Sequence, residues 1–153
     1  AKMAPEFQAR YLGSLASFEN PKAAAKVLKC CLDETIPQEQ LRTVLIPTLT
    51  RPATQRHAWS FLKKNWKQLG PRIGSMGISR LIEALGALPV NLHDDVARFF
   101  QKYEVPEARR ALQKAIEQME LRHELLGREQ ARLSEWLTRW QRILQEETQS
   151  TAA

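Results

Sequence analysis

Apolar residues return every three or four positions along most of this chain, and proline, glycine or short polar clusters interrupt the pattern at intervals. Phe7, Tyr11, Leu15 and Phe18 predict a first helix over 5–18. Asn20-Pro21 pairs a capping side chain with proline at the first helical position, where the missing N–H costs nothing. A second helix is therefore predicted to about 32, with Val27, Leu28, Cys31 and Leu32 facing inward. The pattern restarts after Ile36-Pro37, and Leu41, Val44, Leu45 and Leu49 form the third stripe. Pro47 should shorten or bend that helix near its end. Thr50-Arg51-Pro52 opens a fourth helix, ending near Leu69-Gly70-Pro71, with Trp59, Leu62, Trp66 and Leu69 on one face. Gly70, Gly74 and Gly77 predict a loop, then a short helix over 78–85 closed by Gly86. A sixth helix carries Val96, Phe99 and Phe100 and stops at Val105-Pro106. Ala108, Ala111, Leu112, Ala115, Ile116 and Met119 begin another stripe. It lapses at Arg122-His123 and resumes at Leu133, Trp136, Leu137, Trp140, Ile143 and Leu144. This predicts two helices with a break near 123–128, or one long kinked helix, and a frayed tail over 148–153.

About eight short helices joined by short turns imply an all-α fold, a HEAT- or armadillo-like superhelix of antiparallel pairs forming one domain over 1–147. All four tryptophans are expected in the core, because each shares an apolar face with leucines. Cys30 and Cys31 are adjacent and point about 100° apart on a helix, so they are read as reduced structural thiols. With no signal-peptide stretch and no run long enough to cross a bilayer, the expectation is a cytoplasmic protein without a membrane partner.

The formal charge of +6 is unevenly placed. No Asp or Glu occurs between Gln40 and Ile82, yet Arg42, Arg51, Arg56, Lys63, Lys64, Lys67, Arg72 and Arg80 lie there. A surface of one sign attracts anions: nucleic acid, an acidic protein, or a peptide carboxylate. Arg56, Lys63 and Lys67 fall within about 40° of one another, about 100° round the helix from the tryptophan face.

Catalytic motifs are missing. His123-Glu124-Leu125-Leu126-Gly127 is the nearest approach to a zinc-peptidase helix, and glycine stands where the second ligand must be. There is no Gly-x-Ser-x-Gly and no phosphate-binding loop. Asp94-Asp95 reads as the acidic start of a helix.

The block Ala58-Trp59-Ser60-Phe61-Leu62-Lys63-Lys64-Asn65-Trp66 resembles the Ala-Trp-x-Phe-x-Lys-x-Asn-Trp signature of the C-terminal helical domain in zinc aminopeptidases of the aminopeptidase N and endoplasmic-reticulum type. Arg72-Ile73-Gly74 is similar to the family's Arg-x-Gly turn. Phe99-Phe100, Val105-Pro106, the helix from Arg110 to Ala115 and Glu135-Trp136-Leu137 resemble its closing pattern. The approach over 50–56 departs from the family in lacking an asparagine. The likeness covers about 11–137.

The resemblance implies a non-catalytic domain that caps the active-site chamber of a larger enzyme and helps admit and bind peptides. Trp59, Phe61, Asn65 and Trp66 are then structural motif residues, and zinc is expected in the catalytic domain of the same parent polypeptide, the principal partner. Arg51, Arg56, Lys63, Lys67, Arg72 and Arg80 are the candidate contacts to a peptide or other anion. The alternative is a free-standing helical-repeat scaffold that binds an acidic protein or, less favoured, nucleic acid.

Overall fold

The computed structural model describes residues 5–17, 19–32 and 36–151. Its six α-helices are α1 (Pro5–Leu15), α2 (Pro21–Cys30), α3 (Leu41–Thr50), α4 (Gln55–Leu85), α5 (His93–Lys102) and α6 (Arg109–Thr151). Single 3₁₀ turns over Gln38–Gln40, Val90–Leu92 and Pro106–Ala108 lead into α3, α5 and α6. There is no strand among the described residues. The chain forms two compact units, Ala1–Met119 and Glu120–Ala153.

In the first unit α3 lies at the centre. It packs on α4, and α1 and α2 close over the pair. The α3 stripe is fully used: Leu41, Val44, Leu45 and Leu49 are 0% exposed. Against it α4 contributes Trp59, Leu62, Leu69, Leu81, Ile82 and Leu85, and the aromatic residues of α5 close the far end. Asn20 caps α2 as its spacing predicts, accepting a hydrogen bond from the Lys22 amide at 2.9 Å. No disulfide joins the adjacent cysteines, and Cys31 lies within the core.

Six helices stand where the sequence pattern counts eight, for two reasons. The glycine–proline segment after Leu69 is not a multi-residue loop: helix continues through Pro71 to a kink at Gly74 (φ 72°, ψ 161°), where two helical stretches, counted together as α4, meet. Pro71 is exposed while Gly70, Ile73, Gly77 and Ile78 are buried, so tertiary packing holds the segment helical despite its composition. The second correction falls in α6, where no break interrupts residues 123–128. Gly127 has nothing within 4 Å of where a side chain would begin, and a lone glycine lowers helix propensity by only about 1 kcal/mol. The α6 helix reaches Thr151.

The second unit carries the largest departure from the apolar pattern. Trp136 and Trp140, expected in the core, are 55% and 49% exposed. Leu133, Leu137, Ile143 and Leu144 are exposed with them. Within the described residues, no helix is long and apolar enough to cross a membrane.

Candidate functional site

The Trp-x-Phe…Asn-Trp block occupies the first half of α4, where the helical period sends its members to different surroundings. Trp59 is 1% exposed and meets the edge of Phe99 at 5.3 Å between ring centroids. Trp66, one heptad on, meets Phe99 and Phe100 edge-on at 5.7 and 5.5 Å. These arrangements suit the charge distribution of aromatic rings and fasten α5 to α4. Asn65 turns back on its own helix, donating to the Phe61 carbonyl at 2.8 Å. Phe61 and Asn65 are half-buried beside a small crevice of about 220 Å³, lined also by Leu28 of α2, Leu32 just beyond it, Lys29, His57 and Lys64.

A polar fastening joins the same two helices. The indole N–H of Trp59 donates to Asp95 Oδ2 at 2.7 Å, and the Lys63 ammonium donates to the same oxygen. Lys63 also sits 5.4 Å from the centre of the Trp59 ring. Partial burial pushes the Asp95 carboxyl up. The hydrogen bonds from Lys63 and Trp59, with the charges of Lys63 and Arg98, outweigh that effect and hold it below its ordinary value. Asp95 thus does more than begin α5. It neutralises Lys63 and satisfies the Trp59 N–H across 36 residues of sequence.

The six candidate anion contacts do not gather into one site. Arg51 donates to the Ser17 carbonyl at 2.8 Å, tying the start of the α3–α4 turn to the end of α1. Arg56 donates to Asn91 Oδ1 at 2.9 Å. Lys63 is held by Asp95. Arg72 reaches the Cys31 carbonyl at 2.6 Å and the Ile36 carbonyl at 3.3 Å. With Gln68, which donates to the Leu32 carbonyl at 2.6 Å, it holds the carbonyls of the two residues that follow α2. Lys67 is exposed on α4.

Arg80 lines a groove that it shares with Arg42 of α3. The groove holds about 610 Å³. Ile46, Pro47 and Met76 supply apolar surface, and Gly13 of α1 and Thr43 complete the lining. Met76 is 77% exposed beside it. Two guanidinium groups beside an apolar floor, in a segment without acids, can hold an anionic group attached to an apolar body. Arg42 belongs to the acid-free stretch of the sequence. Its pairing with Arg80 depends on α3 lying against the second half of α4, which the helical period does not encode.

Among the described residues there is no group of three or more His, Cys, Asp or Glu side chains able to hold a metal ion. His123 is exposed on α6, with Gly127 one turn on. The comparison with family models agrees with the motif on α4 and with the helical unit around it. Residues 2–121 match the ERAP1-like C-terminal domain, and the chain belongs to that family.

Proposed function

We propose that this chain works as the non-catalytic C-terminal domain of a zinc aminopeptidase, capping the active-site chamber and helping admit and bind peptide substrates. The observation that carries this reading is the family match over residues 2–121. In this reading the catalytic domain of the same polypeptide is the partner and holds the zinc. The successive packing of α1 on α3, α2 on α4 and α3 on α4 supports a stack of paired helices of the HEAT type. A cytoplasmic location accords with the free thiols of Cys30 and Cys31.

The Arg42–Arg80 groove is the place we assign to the negatively charged end of the peptide. Four of the other candidate cations already serve helix-to-helix contacts, which also weakens the case for a scaffold that grips an extended acidic partner. Fluorescence anisotropy with a labelled apolar peptide tests the assignment. The free-acid peptide should bind more tightly than its C-terminal amide, and the double variant Arg42→Glu/Arg80→Glu should abolish that preference. Equal binding of acid and amide would remove the groove from the model. Release of amino acids from a peptide by this chain in zinc buffer would refute its non-catalytic role.

A further inference from the structure

Along the second unit, exposed apolar side chains recur on one face of the helix. Leu126, Leu133 and Trp140 repeat at intervals of seven, as do Trp136 and Ile143, and Leu137 and Leu144. These seven side chains are each between 37% and 57% exposed. A seven-residue repeat keeps apolar groups on one seam of a helix and suits a second helix laid alongside it. The face begins five residues beyond the family-matched segment, which ends at 121.

We propose that this face, from Leu126 to Leu144, is the seat of a second copy of this chain, paired helix to helix through α6. Area is the first argument. The seven side chains offer on the order of 600–700 Å² of accessible surface, more than most monomers leave in one apolar patch. That approaches the roughly 800 Å² that each partner contributes to a standard interface. Charge is the second. Residues 120–153 carry five arginines and six glutamates, a net −1, leaving +7 on residues 1–119. Two copies repel through their basic units, and the seam lies on the near-neutral part of the chain, where that repulsion is weakest. Glu129 also accepts from Arg128 at 2.8 Å and from Arg132 at 3.1 Å, so its charge is compensated before a partner arrives. Order is the third argument. Trp136 and Trp140 already stack at 5.9 Å with planes 5° apart, which reduces the side-chain freedom lost on association.

The test is the mass of the whole chain by sedimentation equilibrium across a micromolar concentration series. A reversible monomer–dimer equilibrium is expected, with tryptophan emission shifting to the red over the same dilution range as Trp136 and Trp140 meet water. The double variant Leu133→Glu/Trp140→Glu should weaken self-association by at least about 30-fold while keeping the far-ultraviolet helix signal of the first unit. A chain monomeric throughout the series overturns the proposal, and so does a dimer that the double variant leaves intact. A monomer that co-sediments with vesicles of anionic phospholipid through the same residues overturns it too, and gives the face to a lipid surface. The proposal stands apart from the peptide-groove reading, since neither Arg42 nor Arg80 takes part.

Discussion

Two pairs of tryptophans divide this molecule. Trp59 and Trp66 lie seven residues apart on α4, Trp136 and Trp140 four apart on α6, and each pair shares its face with leucines. The first pair is 1% and 7% exposed, and the second about half exposed. What separates them is the neighbour. α4 receives α5, whose Phe99 and Phe100 set edges against the indoles and whose Asp95 takes the Trp59 N–H. The second unit holds the part of α6 from Glu120 onward, and within it Trp136 and Trp140 stack on each other. An apolar stripe therefore marks a surface that favours burial, and whether it is buried depends on elements the stripe does not contain.

The largest effect expected from this contrast is on stability. Trp59→Ala removes a fully buried indole and should cost about 3–5 kcal/mol in urea unfolding. Trp136→Ala should change the stability of the first unit by less than about 0.5 kcal/mol. Comparable losses would mean that both pairs are equally covered. Two glycines give a smaller contrast. Gly74 has a positive φ that side chains rarely adopt, so Gly74→Ala should destabilise by about 1–3 kcal/mol. Gly127 is helical with open space around it, and Gly127→Ala should instead raise the stability of the α6 helix by up to about 1 kcal/mol, read by circular dichroism on heating.

The smallest effect concerns pH. Asp95 is held below the ordinary aspartate value of 3.8, so the stability it contributes is present above that value and is lost as the pH falls through the lowered folded-state value. Between pH 5 and pH 2, about the range over which a carboxylate titrates, Asp95→Asn should show a shallower loss of stability than the parent chain. An unchanged acid slope would show that the contacts from Lys63 and Trp59 do not favour the ionised form.

Much of the first unit was legible because its helices are short and punctuated. Asn20-Pro21 marked the start of α2, and the stripe from Leu41 to Leu49 identified the centre of the core. The glycine–proline segment does hold an interruption, but only at Gly74; the residues around it stay helical, with Ile73, Gly77 and Ile78 buried. In α6 the weak signal at Gly127 was overridden by helix-favouring residues on both sides. The candidate site was legible as a region and not as a constellation. The acid-free stretch spans α3 and α4, and most of its cations lie on them. Which of them reach a neighbour's carbonyl and which line the groove follows from how α1, α2 and α3 are set against α4.

Past the end of α2, Cys31 and Leu32 turn their amides back onto the Leu28 and Lys29 carbonyls, and their own carbonyls are held by Arg72 and Gln68, 41 and 36 residues away. A helix whose exit is held by a distant helix settles together with it. The two must form as one cooperative block, and the amide protons of α2 should survive in heavy water only as long as those of α4.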